Sequence, residues 1–425
     1  MTTVEALRGE PTQVPRMLVA GAIGNVLEWY DFAAYGYFAS AFGRNFFPST
    51  DHLVSLLSAF GVFAVAFMMR PIGSIIFGHI GDRYGRKRAL MVSVTAMALS
   101  TFAIGLLPTY AHIGSFAPLV LILLRMIQGA SVGGEYTTSI IFLVEQSAPQ
   151  QRGFTGSWAS FSATFGILLG SLVGALVTRL FDPADVLAWG WRLPFLPGIL
   201  LGAVAYVMRR QLLEESFTHV RFQRPPVIEA FQTSWRDIVR GFVIILVMAV
   251  AFYLIFVYLA TYLQQVDSIS ATRALSINTI SMIFLLIITP FAGILADRLG
   301  RKTVLALGAG GFVVLSWPLF LLLDHPATLM ILLGQCGFAL LLASYSGALP
   351  AAMVEMYPRR IRCTALSFTY NASMGLAGGT APMVAVYLMG TTHSPISPAI
   401  YLMGAAAISL IGVLSMADRT GKPLL

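Results

Sequence analysis

The chain has 425 residues, of which 57% are hydrophobic and only 11% charged, with a net charge of +8. A soluble domain is nearer one quarter charged, so composition excludes an ordinary water-soluble fold, in keeping with the mean hydropathy of +0.78. There is no Walker A sequence and no HExxH, and Cys336 and Cys363 lack metal-ligand spacing, so ATP hydrolysis, a resident metal and a disulfide framework are not expected.

The apolar residues fall in twelve blocks, about 17–40, 53–79, 88–107, 117–142, 155–178, 188–208, 240–264, 274–296, 303–323, 327–351, 363–388 and 396–417. Each is near the roughly 20 residues a helix needs to cross a bilayer. Open strands cannot satisfy their backbone in lipid, so the blocks read as helices and the chain as an all-α membrane protein. Numbered from an N-terminus inside the cell, the inner segments hold nearly all Lys and Arg. The outer ones hold Arg44, Arg179, Arg192 and Arg273, and Arg70 and Arg125 lie within helices. This asymmetry places both termini in the cytoplasm and explains the basic charge by contact with anionic lipid rather than nucleic acid. The first sixteen residues lack an apolar segment before a cleavage site, so no cleaved leader is expected.

In chain order, the first helix carries Asn25, Glu28, Asp31 and Tyr35, with Glu28 and Asp31 one turn apart on one face. The second carries Arg70, and the fourth Arg125, Gln128 and Glu135. A charge at mid-membrane costs roughly 2.5–3.5 kcal/mol, so these groups must pair or line a wet cavity. Counting straight helices from the block ends puts Arg125 near the level of Glu28 and Asp31, and Arg70 near Glu135. The expected pairs are therefore Arg125 with Asp31 or Glu28, and Arg70 with Glu135. Gly166, Gly170 and Gly174 give the fifth helix a small-residue face for close packing. The polar stretch 209–239, broken by Pro225-Pro226, is expected to form short helices on the membrane surface. The second half offers Tyr253, Tyr258, Tyr262, Tyr345, Tyr370 and Asn371, whose rings and amide suit a small polar solute.

An internal repeat organises the chain. Gly78, Asp82, Arg83, Gly85, Arg86 and Lys87 between the second and third helices recur as Gly293, Asp297, Arg298, Gly300, Arg301 and Lys302 between the eighth and ninth. A second echo pairs Glu145 and Arg152 with Glu355 and Arg362. The division expected is a first six-helix bundle at 1–208, a cytoplasmic linker at 209–239 and a second bundle at 240–425. The repeated loops are expected to act as conformational switches, held by ion pairs that break as a bundle tilts.

The loop motif resembles the signature of the major facilitator superfamily, and Arg125-Met-Ile-Gln128-Gly129 resembles that superfamily's motif linked to proton coupling. The segments Gly24–Phe32, Met69–Gly73, Ser131–Tyr136 and Trp189–Phe195 resemble the metabolite:proton symporter family, with its citrate, α-ketoglutarate, shikimate and proline/betaine carriers of bacteria. The resemblance implies a major facilitator fold of two pseudo-symmetric bundles in the bacterial inner membrane, monomeric and not an enzyme. It implies proton-coupled uptake by alternating access, with partners limited to substrate, proton and lipid, and Arg70 and Arg125, whose forks match a carboxylate, favour a small organic acid as the substrate. The alternatives are a zwitterionic osmolyte such as betaine or proline as substrate, or a non-transporting membrane sensor. The tail after the last helix is short, which departs from osmosensing carriers with a long C-terminal coiled coil. The proton-coupling residues expected are Glu28, Asp31, Arg125 and Glu135. Substrate contacts are expected from Asn25, Tyr35, Arg70, Arg125, Gln128 and the six second-half residues named above.

Overall fold

The computed structural model describes residues 25, 26, 28–84, 86–133, 135–212, 226–266 and 269–424, and the side chains of 78–90, 135, 201, 205, 208–212, 226, 227, 265 and 266 are outside it. The expectations placed on Glu135, on the first loop copy (Gly78, Asp82, Arg83, Gly85, Arg86, Lys87) and on the linker before 226 lie outside the described residues or side chains.

A helix occupies each of the twelve apolar blocks. The first bundle holds α1 (residues 25–46, with a turn at Phe38), α2 (His52–Tyr84) and α3 (Arg86–Leu106). It continues with α4 (Phe116–Ser131 and Glu135–Glu145), α5 (Arg152–Leu180) and α6 (Gly198–Leu212). The second half holds α7 (Pro226–Tyr253, Leu254–Tyr258 and Leu259–Val266), α8 (Ala271–Leu299) and α9 (Arg301–Leu323). It ends with α10 (Thr328–Met356), α11 (Arg362–Ser373, Met374–Gly378 and Ala381–Thr392) and α12 (Ser397–Ser415). Among the described residues, nine helices are long and apolar enough to span a membrane by length and composition. Their outer faces expose Leu180, Val314 and Ile411, as a lipid-facing surface requires.

Three local expectations change. The sixth span starts at Gly198 rather than 188, because Pro194 and Pro197 fall where a longer helix would need donors; a short helix at Pro183–Ala188 and a 3-10 turn at Gly190–Arg192 precede it. The segment after Pro225 forms a short helix, as expected, but one joined end to end with the spanning part of α7. It runs into that part through a kink at Ser234 (φ −135°, ψ 25°), docked by Glu229 on Arg360 at 2.8 Å and by Phe231 against Phe368. Finally, α7 and α11 each contain a five-residue π-helical turn, Leu254–Tyr258 and Met374–Gly378.

Backbone contacts set the spacing inside the first bundle. A Cβ on Gly129 of α4 would lie 1.7 Å from the Ala66 carbonyl of α2, so only glycine allows this approach. Gly166 and Gly170 of α5 receive α1 in the same way, against Val26 and Ala33. Gly300, at φ 95°, makes the turn between α8 and α9 that the repeated motif encodes.

The π-helical turn in α7 frees carbonyls that a buried amide network takes up. Gln335 Nε2 donates to Ile255 O at 3.3 Å, and Tyr37 and Asn278 both donate to Phe256 O, at 2.7 and 3.2 Å. Asn278 Nδ2 also reaches Tyr37 and Ser171, while its oxygen accepts from Gln335 at 2.6 Å. Each buried polar group left unpaired costs about 1–3 kcal/mol. Asn278→Leu is expected to lower the melting temperature of the purified protein in detergent more than Tyr37→Phe does. Equal melting temperatures for wild type and Asn278→Leu would show that the network does not hold the turn.

Candidate functional site

Two buried ion pairs sit one helical turn apart along α1. In the first, Arg125 Nη1 lies 3.5 Å from Asp31 Oδ2 and donates to Gln128 Oε1 at 2.9 Å. Gln128 Nε2 donates to the same Asp31 oxygen at 2.6 Å and to Thr101 at 2.9 Å. Arg125 and Gln128 share a face of α4 because they are three residues apart, and both are fully buried. The guanidinium stands 4.3 Å over Tyr35 and 4.8 Å over Phe32. Asp31 Oδ1 and Arg125 Nε and Nη2 have no hydrogen-bond partner among the described residues. The hydrogen bonds of this cluster join α1, α3 and α4, and Phe63 of α2 adds a ring 5.9 Å from the guanidinium.

In the second pair, Arg70 Nη2 donates to Glu28 Oε1 at 2.9 Å. Arg70 Nε donates to Asn371 Oδ1 at 3.1 Å, a bond from α2 to α11 across the seam between the halves. Asn371 Nδ2 in turn holds Gly133 O at 2.7 Å. Rings enclose the guanidinium, Phe67 at 5.2 Å and Trp29 at 5.3 Å. Tyr253 stacks on Trp29 and meets Phe67 edge-on. Arg70 pairs with Glu28, a partner expected for Arg125 instead; the side chain of Glu135, the expected partner of Arg70, lies outside the described side chains. The Glu28 pairing follows from the length of α1, which continues to Phe46 rather than ending at 40. Glu28 stands 18 residues before Phe46 at the end of α1, and Arg70 stands 18 residues after His52 at the adjoining start of α2, so both lie about 27 Å from that shared end. The expected pairing of Arg125 resolves to Asp31.

The remaining expected contacts divide. Tyr253, Tyr370 and Asn371 gather round Arg70 with Tyr136, whose ring lies 4.8 Å from that of Tyr370. Tyr35, Tyr345 and Asn25 are committed to helix packing: Tyr35 to Ala59 O, Tyr345 to Ile244 O at 2.6 Å, and Asn25 to Ser139 and Ser162. Tyr258 bonds Met389 Sδ and Tyr262 packs on Phe320, both away from the two arginines. Sequence reasoning missed Trp29, Tyr136 and Phe67, although the first two lie in the segments that carried the family resemblance. It also missed the amides Asn278 and Gln335.

The seam is closed at both ends. At one end the Tyr37–Asn278–Ser171 network joins the halves, with Thr272 bonded to Thr178 O at 2.8 Å. At the other end the repeated Glu and Arg residues pair reciprocally: Arg362 with Glu145, and Arg152 with Glu355 at 3.5 Å. Arg301 adds Glu355 at 3.4 Å and Asp297 at 2.9 Å. Asp297 also accepts from the backbone N–H of Gly153 and Phe154, each at 2.8 Å, and so caps α5 from the opposite half. Lys302 binds the last carbonyls of α12, whereas Arg298 is exposed.

This arrangement of helices and seam has known counterparts. The profile described as "Sugar (and other) transporter" matches residues 17–224, and that described as "Major Facilitator Superfamily" matches 267–423. A glycine betaine/proline/ectoine/pipecolic acid transporter of Dickeya dadantii (strain 3937) is 35% identical over 96% of this chain and 84% of its own. The chain belongs to the major facilitator superfamily. Another similar superfamily member is the proline/betaine transporter of Escherichia coli (strain K12), 34% identical with the same coverage. The crystal structure of a D-xylose-proton symporter superposes with a TM-score of 0.75 over 97% of this chain and 100% of that one, at 19% identity. That likeness establishes the major facilitator fold. This superfamily member is a multi-pass membrane transporter and not an enzyme.

Proposed function

We propose that the protein takes up a small zwitterion of the betaine or proline type together with a proton, by alternating access of the seam from either side of the bacterial inner membrane. The observation that carries this reading is the Glu28–Arg70 pair, buried at the seam and bonded to both halves. A substrate bearing both charges exchanges with both partners: its carboxylate takes Arg70 and its ammonium faces Glu28. A simple carboxylate on Arg70 would bring a second negative charge beside Glu28 in a low-dielectric site, which costs several kcal/mol and which the ammonium of a zwitterion offsets. The zwitterion therefore replaces the organic acid expected from the sequence. The named substrates of the similar proline/betaine transporters support the same choice.

The Asp31–Arg125–Gln128 cluster serves the proton in this reading. Its hydrogen bonds stay inside the first bundle, with Phe63 between Arg125 and Tyr253 of the other half, and Asp31 Oδ1 is left open for protonation. Both carboxylates ride on α1, so a shift of that helix on substrate binding reaches Asp31 directly, and the two ligands become linked. The bundles at 1–208 and 240–425 rock about the seam, with both termini and the reciprocal Glu–Arg pairs on the cytoplasmic side. A single chain contains every group this cycle uses.

Uptake into liposomes tests the proposal. Labelled proline and glycine betaine are expected to accumulate when the outside is acid, and to leak back when a protonophore dissipates the gradient. Accumulation of a di- or tricarboxylate with neither zwitterion transported would overturn it.

A further inference from the structure

We infer that four rings at the seam form a box for an N-alkylated ammonium, and that this box, rather than Arg70 and Glu28, ranks the substrates. The inference rests on the zwitterion reading above. Trp29 of α1, Tyr136 of α4, Phe252 of α7 and Tyr370 of α11 line a small cavity between the halves. Two walls come from each bundle. Trp29 meets Tyr136 at 5.9 Å and 74° and Phe252 at 6.0 Å and 68°, so adjacent walls stand near right angles. Tyr136 and Tyr370 close the third corner at 4.8 Å. No charged side chain of the described residues lines the cavity.

Ring faces carry negative potential and offer no lone pair in the plane of a directed hydrogen bond. They attract a cation whose charge is spread over methyl or methylene groups. They serve a primary ammonium poorly, since its three N–H groups need acceptors, and they repel an anion. Of the hydroxyls on the wall, those of Tyr136 and Ser160 are already joined at 3.2 Å, and Thr164 and Tyr370 supply the others. Beside the box, Arg70 stands 5.3 Å from the Trp29 ring, and Arg70 Nη1 and Trp29 Nε1 have no acceptor among the described residues. A carboxylate one carbon from the ammonium supplies that acceptor. The complementary ligand is thus an α-carboxylate on a fully or doubly alkylated nitrogen.

The test is equilibrium binding to the purified full-length protein with glycine, dimethylglycine and glycine betaine, a series that differs only in N-methylation, plus proline. Affinity is expected to rise along the series. Phe252→Leu and Tyr370→Leu should flatten the rise and weaken glycine betaine about tenfold each, while Tyr370→Phe, which keeps the ring, should retain it. Folding of each variant is checked by thermal unfolding and gel filtration, and the retained ring in Tyr370→Phe keeps the test decisive if a leucine variant fails to fold. Glycine betaine binding with an unchanged series in the leucine variants overturns the box alone. Failure of every zwitterion to bind wild type overturns the zwitterion reading itself.

Discussion

Asp31→Asn is expected to abolish proton-driven accumulation while leaving substrate exchange across the membrane intact. Asparagine matches the shape of a protonated aspartate and can still accept from Gln128 Nε2, which now bonds Asp31 Oδ2 at 2.6 Å. It cannot release or take a proton at the open oxygen. With one proton per cycle, a gradient of one pH unit sustains about tenfold accumulation. For Asp31→Asn in liposomes the ratio should fall to one, with no response to outside pH, whereas counterflow of labelled against unlabelled substrate should persist. Glu28→Gln should behave differently. Its partner is Arg70 at the seam, so the variant should lose affinity, with an apparent KM raised at least tenfold, and keep its pH response. Full gradient-driven accumulation by Asp31→Asn would remove Asp31 from the coupling mechanism, and a pH response lost in Glu28→Gln would transfer that role to Glu28.

The second large effect concerns the reciprocal pairs at the inner end of the seam. Glu355 is 3% exposed and serves both Arg152 and Arg301. Removing one member of a buried pair costs about 3–5 kcal/mol, because the other charge stays buried without compensation. Glu355→Gln should therefore open the inner end. A cysteine at position 346, where Ser346 is buried and its carbonyl bonds Ser160 across the seam, reports the opening in a background with Cys336 and Cys363 replaced by serine. Its labelling by an impermeant maleimide from the cytoplasmic side should accelerate at least tenfold. The charge swap Glu145→Arg with Arg362→Glu should restore slow labelling, whereas Glu145→Arg alone should not. Labelling at the wild-type rate in Glu355→Gln would show that these pairs do not hold the seam shut.

Much of this was legible from hydropathy and spacing. The twelve spans follow from runs of apolar residues, and the three-residue spacing of Arg125 and Gln128 places both beside Asp31. Depth was less legible. Apolar block ends are not helix ends, and α1 runs on through Arg44 and Asn45, which an apolar count discards; this hid the pairing of Arg70 with Glu28. The π-helical turn in α7 lies in Leu-Ile-Phe-Val-Tyr, with no proline or glycine to mark it. It is fixed instead by Asn278 and Gln335 on two other helices, a tertiary cause that no local pattern carries. The Glu and Arg echo announced a repeat but gave no hint that its members pair crosswise. That outcome follows only when the two copies face each other about a pseudo-twofold axis.

Asn371 has a geometric property with its own consequence. Its nitrogen holds Gly133 O and Ser367 O while its oxygen holds Arg70. An amide is flat, so it cannot turn to follow one of these neighbours without misaiming at the rest. A few degrees of rocking between the bundles is felt at the arginine as a lost bond, and any cargo that pulls the arginine aside slackens the fit of the bundles. In the proposed cycle, leakiness and cargo preference are thereby wired to one side chain, and a substitution at position 371 that changes which solute is taken is expected also to change how tightly the carrier shuts.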